Sequence, residues 1–366
     1  MPEHMNSRQL IELRNFGSNP GSLKCWLYLP TILAPTTPLV VVLHGCTQNA
    51  ATYDHGSGWS KLAEEKGFAV LFPEQQRVNN VNLCFNWFEP GDIRRDAGEA
   101  LSIREMIGHI VEAHGIDDGR IFITGLSAGG AMANVMLATY PELFAGGAII
   151  GGLPYGTASG VGQAFERMQG QNSPSVSQMQ SALTTVASSW GPHPSVSVWH
   201  GTHDQTVKPV NAEQIVHQWA GVHRISDTPD LIESINGHGR KVWLDGNGNE
   251  VIEVNIIRGM AHGVPQSFAA KAPLGKPGPF MLETGISSTA RIARFWGLAD
   301  DADVSMAEGA YEPGPERITA PSGIEAVIAK AMAYAKPSLA QNAAGRDEQG
   351  VGKVINDALR AAGLMR

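Results

Sequence analysis

Residues 123–133 read ITGLSAGGAMA, with one glycine two positions before Ser127 and another two positions after it. The pattern Gly-x-Ser-x-Gly is typical of the sharp strand-to-helix turn that lifts a serine above a parallel sheet. The flanking sequence agrees, because RIFIT (120–124) resembles a short strand and residues 129–140 resemble a helix that ends at Pro141. A chance match in a chain with 42 glycines is the alternative, and the strand–turn–helix context argues against it. The stretch therefore predicts an exposed, nucleophilic serine.

The chain around this turn alternates between apolar strand patterns and helical patterns. PLVVVLHG (38–45) is a continuous apolar run, as expected of a strand buried on both faces. Further strand patterns lie at 67–75 and 145–152, a helical pattern at 95–114, and a hairpin pattern at 241–257. The alternation predicts an α/β fold with a mostly parallel, doubly wound sheet and helices on both faces. Ligands of such sheets bind beyond the carboxyl ends of the strands, so functional residues are expected there.

The domain organisation is predicted from the places where the alternation of strand and helix patterns is interrupted. Residues 1–298 are predicted to form one catalytic domain. The Gly-, Ser- and Gln-rich segment 153–195 is predicted to be an insertion over its active-site face, with one helical piece near 164–168. We expect this insertion to shape the substrate pocket. Residues 299–366 are predicted to be a tail, with a linker at 299–323 followed by two short helices, near 324–335 and 351–362.

Composition and charge exclude several classes of function. The 366 residues are 43% hydrophobic and 17% charged, as in a globular protein, and the net charge of −8 argues against a nucleic-acid partner. Neither a signal-peptide core nor a membrane-spanning segment is evident, which favours a cytoplasmic protein over a secreted one whose leader is absent from this sequence. Cys25, Cys46 and Cys84 allow at most one internal disulfide, and the sequence leaves the pairing of Cys46 open.

A serine nucleophile needs a base and a carboxylate, which in this fold class follow the serine in the order acid, then histidine. Asp204 comes shortly after the strand SVSVW (195–199), and His262 comes shortly after the last strand of the hairpin. We therefore predict Ser127, Asp204 and His262 as nucleophile, orienting acid and general base, in the chain order of an α/β-hydrolase.

His200, His203 and Asp204 also have the short spacing of zinc ligands. A catalytic zinc ion needs a third ligand group, and no second cluster of suitable appearance accompanies them. A metallohydrolase is therefore the less favoured alternative, and we expect a reaction that uses neither a metal nor another cofactor.

An oxyanion hole needs two backbone N–H groups near the serine. One is expected from Ala128, directly after the nucleophile, and the other from the loop that follows the strand PLVVVL. In that loop we favour the Cys46 N–H, with Thr47 as the alternative, and we expect His44 to brace the loop by hydrogen bonding.

Five stretches in order resemble the poly(3-hydroxybutyrate) depolymerase family of esterases, a branch related to feruloyl and acetylxylan esterases. They are VVVLHGCTQNAATYD (40–54), FPEQQRVNNVNLCFNWFEPGD (72–92), GLSAGGAMA (125–133), SVWHGTHDQTVKP (197–209) and GMAHGVP (259–265). Together with the closing helix over 285–298, the resemblance covers residues 14–298. It implies an α/β-hydrolase fold and ester cleavage through an acyl-enzyme without a cofactor, and it places the triad on Ser127, Asp204 and His262 and an oxyanion amide on Cys46.

The resemblance also indicates residues that contact the substrate. Trp87 matches an aromatic residue near the family's cleft, and its flat apolar face suits an acyl chain or an aromatic ring, although a tryptophan of the core is an equal alternative. Asn86 and Thr47 are the further candidates for substrate binding.

Two departures from the family bear on the substrate. Secreted members that degrade polymer carry a signal peptide and often a polymer-binding domain, neither of which is evident here, and the tail lies outside the resemblance. Soluble oligomers, amorphous granules or small esters are therefore at least as plausible as crystalline polymer. A feruloyl- or acetylxylan-type esterase, a non-catalytic hydrolase-like binding protein and a peptidase are the alternatives, while the oligomeric state is not indicated by the sequence.

Overall fold

The computed structural model describes residues 10–187 and 193–310. Within them, ten strands form one sheet and two short strands form a second. The strands are β1 Ile11–Leu13, β2 Lys24–Tyr28, β3 Thr37–Leu43, β4 Ala69–Glu74, β5 Ile116–Leu126, β6 Gly146–Ile150, β7 Ser195–Gly201, β8 Leu231–Ile235, β9 His238–Leu244, β10 Glu250–Ile257, β11 Val264–Gln266 and β12 Met281–Glu283. The helices are α1 Ala50–Ser57, α2 Trp59–Lys66, α3 Gly98–His114, α4 Ala128–Thr139, α5 Val161–Met168, α6 Val176–Ala187, α7 Val210–His223, α8 Ser288–Phe295 and α9 Asp301–Ala307.

The large sheet has the order β1-β2-β4-β3-β5-β6-β7-β10-β9-β8. Its six central strands, from β4 to β10, run parallel, while β1, β2, β9 and β8 pair antiparallel at the two edges. Because the central strands are parallel, the loops after β3, β5, β7 and β10 all emerge at the same edge of the sheet. The mostly parallel sheet and the β9–β10 hairpin confirm the fold predicted from the sequence.

Strand β3 shows why the sheet must be covered on both sides. Leu39, Val41 and Leu43 belong to a core cluster with α3, α4 and α7, whereas Val40 and Val42 belong to a second cluster with α1, α2 and α8. Successive side chains of a strand point to opposite faces, so an unbroken apolar run requires helices on each face. The sheet is therefore doubly wound.

Two segments differ from the sequence prediction. The insertion 153–195 contains a second helix, α6, which buries only Met179, Leu183 and Ala187; its Ser- and Gln-rich remainder conceals this narrow apolar stripe. The linker predicted from residue 299 is wrong for its first part, because α9 begins at an Asp300 capping box and buries Val304 and Ala307 against the core. The rest of the predicted tail, with both expected helices, lies outside the described residues. No helix in the described ranges is long and apolar enough to cross a bilayer.

The strand-to-helix turn tolerates no side chain at Gly125, because a Cβ there would lie 2.4 Å from the backbone of Gly129. We expect Gly125→Ala to destabilise the protein by about 1–3 kcal/mol or more, since backbone atoms must move to relieve the overlap. Chemical denaturation measures the loss. Gly239→Ala is the matched control, because Gly239 also lies in a strand and a Cβ there meets nothing within 4 Å. Equal stability of the two variants would contradict the proposed crowding.

Candidate active site

Ser127 lies between β5 and α4 in a backbone conformation that serine rarely adopts, with φ 57° and ψ −118°. A non-glycine residue in such a conformation costs about 1–3 kcal/mol and persists only where its surroundings impose it. Here the Ser127 N–H donates to the Ile150 carbonyl at 2.8 Å, and its own carbonyl accepts the Ala131 N–H at 2.8 Å. The turn is therefore held from both β6 and α4.

The glycine after the serine explains the small residues of the motif. A Cβ at Gly129 would lie 2.4 Å from the carbonyl oxygens of Leu43 and His44, at the end of β3. Helix α4 thus begins in direct backbone contact with the neighbouring strand. This contact brings the Ser127 turn beside the loop that follows β3.

Asp204 and His262 extend from two further strand ends and are both buried. His262 Nδ1 lies 2.7 Å from Asp204 Oδ2, and Asp204 Oδ1 accepts the backbone N–H groups of Thr206 and Val207 at 2.9 and 2.8 Å. Burial alone would raise the pKa of Asp204, but the charge of His262 and hydrogen bonds from His200 and His262 outweigh it, so the pKa is lowered. The carboxylate is therefore ionised at neutral pH and can orient the imidazole.

His200 is a neighbour of this pair that the sequence prediction did not include. Its Nε2 lies 2.8 Å from the Val207 carbonyl and 3.3 Å from Asp204 Oδ2, and the ring is fully buried. His203, by contrast, is exposed and lies 2.9 Å from the hydroxyl of Thr202. The two histidines of the suspected zinc motif thus point to different environments, and the described residues contain no group of three or more metal-ligating side chains.

The loop after β3 presents its amides unequally. The Thr47 N–H donates to the Asn82 carbonyl at 2.7 Å and the Gly45 N–H to Gln48 Oε1 at 2.9 Å. No residue of the described chain accepts the Cys46 N–H, and Cys46 lines the same cavity as Ala128, at the start of α4. Thr47, named as an alternative oxyanion donor and as a substrate contact, is exposed and does not line that cavity, because the Asn82 contact turns the loop outward there.

His44 braces this loop, as expected. Its Nε2 accepts the Gln75 N–H at 3.1 Å, so the proton must reside on Nδ1, which donates to the Gly45 carbonyl at 2.8 Å. Burial lowers the pKa of His44, which keeps the ring neutral and this hydrogen-bond pattern intact.

The structure shows which cysteines form the disulfide, a pairing that the sequence left open. Cys46 is bonded to Cys84, while Cys25 is a buried thiol whose pKa burial raises to about 12. The disulfide joins the loop after β3 to the loop that carries Trp87. The two loops of the cavity wall are therefore covalently linked.

Ser127, Ala128, Cys46 and His262 line one cavity of about 460 Å³. The rest of its wall is mostly apolar and comes largely from the Trp87 loop, the segment after β6, one face of α5 and the residue before β12: Trp87, Phe88, Leu153, Val161, Ala164, Phe165, Met168 and Phe280. The four α5 positions have the i, i+3, i+4, i+7 spacing of one helix face. The expectation that the insertion borders the substrate pocket agrees with this placement.

Trp87 and Asn86 lie side by side at this wall. Trp87 is 6% exposed and packs edge-on against Phe88, so it is both a core residue and part of the cavity wall. Asn86 lines the cavity too, but its carboxamide lies 3.3 Å from Asp92 Oδ2 and accepts from Asn80 at 3.0 Å. These contacts indicate a structural role for that side chain.

Glu99 holds the Trp87 loop by hydrogen bonds, a role that the sequence analysis did not predict. It is 1% exposed in the first turn of α3, where Oε1 accepts Gln75 Nε2 at 2.5 Å and Oε2 accepts the Asn86 N–H at 2.9 Å. Burial, and secondarily the charge of Asp92, raises its pKa to about 8. An acidic residue on the buried side of an otherwise apolar helix face is the sequence signal that could have indicated it.

Comparison with known proteins identifies the family. A family model described as "Esterase PHB depolymerase" matches residues 23–231. The chain belongs to the esterase PHB depolymerase family. Poly(3-hydroxyalkanoate) depolymerase C of Paucimonas lemoignei is 43% identical over 295 residues, which are 79% of this chain and 70% of that protein.

Other relatives of this PHB depolymerase family chain are carbohydrate esterases by name. An acetylxylan esterase of Coprinopsis cinerea is 30% identical over 266 residues, 71% of this chain and 70% of that protein. The solved structure of the acetyl xylan esterase from Aspergillus awamori matches with a TM-score of 0.67 at 24% identity, over 80% of this chain and 100% of that chain. The fold is thus that of the α/β-hydrolases, and the family membership supports hydrolysis of carboxylic esters.

The Glu99 carboxyl predicts a pH dependence of stability. Because its folded-state pKa rises from the ordinary 4.5 to about 8, it stays protonated in the folded protein while it ionises in the unfolded chain. The unfolded state then binds fewer protons, so this group lowers stability as pH rises from about 4.5 to about 8. We expect Glu99→Gln to remove this decline, which free energies of unfolding at pH 5 and pH 8 measure.

The comparison of wild type with Glu99→Gln isolates this group from the other titrating residues. Glu112→Gln, an exposed change on the same helix, is the control and should keep the wild-type pH dependence. A parallel pH profile for wild type and Glu99→Gln would show that Glu99 is ionised in the folded protein.

Proposed function

We propose that this protein is a serine esterase in which Ser127 attacks the ester, His262 is the general base and Asp204 orients the imidazole. The observation that carries the proposal is that His262, which is buried and lies 2.7 Å from Asp204, lines the same cavity as the strained Ser127 turn. A structural protein has no need of a strained serine and an imidazole in one cavity, with an ionised buried acid beside the imidazole. Polyhydroxybutyrate-type polyesters or their oligomers are the proposed substrates.

The proposed reaction has two steps. His262 Nε2 removes the hydroxyl proton as Ser127 Oγ forms a bond to the ester carbonyl carbon, and the Cys46 and Ala128 N–H groups stabilise the oxyanion. The C–O bond to the alcohol then breaks, and the departing alcohol takes the proton from His262. Water, deprotonated by His262, attacks the acyl-enzyme and releases the acid and Ser127.

The contacts of Asp204 support its proposed role. Two backbone N–H groups fix Oδ1, and two imidazoles, those of His200 and His262, approach Oδ2. A carboxylate held in this way keeps the His262 Nδ1–H pointing at itself and stabilises the imidazolium that forms during attack. His200 is thereby a positioning residue for the acid.

Two observations bear on the substrate. The mostly apolar cavity suits a short acyl chain, and the relative that shares 43% identity is named as a poly(3-hydroxyalkanoate) depolymerase. The second candidate is an ester of a feruloyl or acetylxylan type, which the aromatic faces of Trp87 and Phe88 and the named carbohydrate esterases favour.

The disulfide bears on the compartment. Bonds such as Cys46–Cys84 persist in oxidising environments and are rare in a reducing cytosol. We therefore favour secretion over the cytoplasmic location that the sequence analysis favoured. Isolation of the native protein with all three cysteines reduced would contradict this choice.

The test compares acid release from amorphous poly(3-hydroxybutyrate), soluble hydroxybutyrate oligomers, methyl ferulate and acetylated xylan, with Ser127→Ala as the blank. Release of hydroxybutyrate by the wild type alone supports the polyester assignment. Release of only ferulate or acetate would transfer the protein to the second candidate. Equal rates for wild type and Ser127→Ala on every ester would refute the serine esterase proposal.

Single substitutions in the triad should have large effects on rate. We expect Ser127→Ala and His262→Ala each to lower kcat by about 10³-fold or more, because each removes the proton-transfer pair. His203→Ala, an exposed change one residue before Asp204, is the control and should retain activity. Steady-state kinetics on an activated ester measure the series, and a loss of less than tenfold in either triad variant would contradict the assigned roles.

Helix α5 is expected to limit the length of the acyl chain. Phe165→Ala removes a ring from the cavity wall, so the ratio of kcat/KM for a hexanoate ester to that for a butyrate ester should rise several-fold. Glu166→Gln, a change at the next position that does not line the cavity, should leave this ratio unaltered. An unchanged ratio in a folded Phe165→Ala variant would show that the insertion does not set acyl preference.

A further inference from the structure

Glu89 follows the aromatic pair Trp87 and Phe88 directly and lines the cavity that contains Ser127. Its backbone is ordered on both sides, since its N–H donates to the Asn86 carbonyl and its carbonyl accepts the Asp92 N–H, each at 2.9 Å. The side chain is therefore presented to the cavity by a fixed turn.

The Glu89 carboxyl has no partner within residues 10–187 and 193–310, neither a hydrogen-bond donor nor a cation. Burial raises its pKa, and the negative charge of Asp92 raises it further. No contact of the carboxyl within these residues accounts for its position in the cavity wall. The carboxyl oxygens are thus available to accept hydrogen bonds from a ligand.

Several other polar side chains of the cavity are already engaged. Of the described residues that line the cavity, Glu89 alone carries a carboxylate, and none is a lysine or arginine. The amides of Asn79 and Asn80 are engaged, since Asn79 donates to the Gly21 carbonyl at 2.7 Å and Asn80 to Asn86 at 3.0 Å. A carboxylate in such a place accepts a hydrogen bond from a hydroxyl and repels a second carboxylate.

We propose that Glu89 is a specificity-determining residue that accepts a hydrogen bond from a hydroxyl on the acyl part of the substrate. This inference rests on the serine esterase function proposed above and narrows its substrate class to hydroxyacyl esters. In a polyester of hydroxy acids, only the unit at the hydroxyl end carries a free hydroxyl. Glu89 therefore favours cleavage of the unit at that end, and it disfavours acyl groups that carry a carboxylate.

The experiment measures kcat/KM for three aryl esters: 3-hydroxybutyrate, butyrate and the half-ester of succinate. A hydrogen bond to a charged group contributes about 1.5–3 kcal/mol, which corresponds to roughly ten- to a hundredfold in rate. We expect the hydroxybutyrate-to-butyrate ratio to fall at least tenfold in Glu89→Ala and less in Glu89→Gln, which keeps an acceptor oxygen. The succinate half-ester should become a better substrate in both variants.

Glu166→Gln, which removes a carboxylate outside the cavity, is the matched control and should keep both wild-type ratios. Circular dichroism verifies folding, and the two Glu89 variants provide independent measurements. Ratios that stay at wild-type values in both variants, with Ser127-dependent hydrolysis retained, would overturn the role of Glu89 and leave the esterase proposal standing. Hydrolysis of none of the esters beyond the Ser127→Ala blank would overturn both.

Discussion

The backbone contact between the start of α4 and the end of β3 is the constraint on which the site depends. At Gly129 a single added carbon would meet two carbonyl oxygens at 2.4 Å, and at Gly125 it would meet the backbone of α4 at the same distance. With both positions free of side chains, the strand can turn abruptly into the helix and carry Ser127 at positive φ. The same contact brings the first amide of α4 beside the loop after β3. The backbone contact between α4 and β3 thus positions both the nucleophile and the candidate oxyanion donors.

Long-range contacts then hold the cavity walls in register with this turn. The Cys46–Cys84 disulfide connects two loops that are 38 residues apart in sequence, and cross-links of this span stabilise a protein by roughly 3–4 kcal/mol. Gln75 links the same loops a second time, through His44 on one side and Glu99 on the other. Such preorganisation matters because amides that stabilise an oxyanion act best when they need not move during the reaction. The buried carboxyl of Glu99 lowers stability as pH rises from about 4.5 to about 8, while its hydrogen bonds to Gln75 and the Asn86 N–H hold the Trp87 loop.

Most of the fold could be predicted from the sequence because strands, helices and turns leave patterns within a few consecutive residues. The apolar run of β3 requires burial on both faces, and the Gly-x-Ser-x-Gly pattern requires a strand before it and a helix after it. The positions of Asp204 and His262 follow from strand ends and chain order. Helix α6 was not predicted because only three of its residues are buried. Helix α9 was not predicted because a short Asp- and Ala-rich helix has the composition of a linker, and only the structure shows that Val304 packs against the core.

The missed features of the site depend on partners distant in sequence or on the path of a loop. The spacing of His200 and His203 resembles that of metal ligands, and spacing alone does not show that the following loop brings Asp204 Oδ2 within 3.3 Å of His200 Nε2. Nothing near Glu99 in sequence reveals Gln75 or the Asn86 amide as its partners. The pairing of Cys46 with Cys84 likewise requires the two loops to be placed in space first.

The most direct test of the central claim is intact-mass analysis after treatment with a serine-directed phosphonate, followed by peptide mapping. The account predicts a single adduct on Ser127, formed rapidly in the wild type and far more slowly when His262 is replaced by alanine. An adduct on another serine, or an unlabelled Ser127 in protein that still hydrolyses esters, would contradict it.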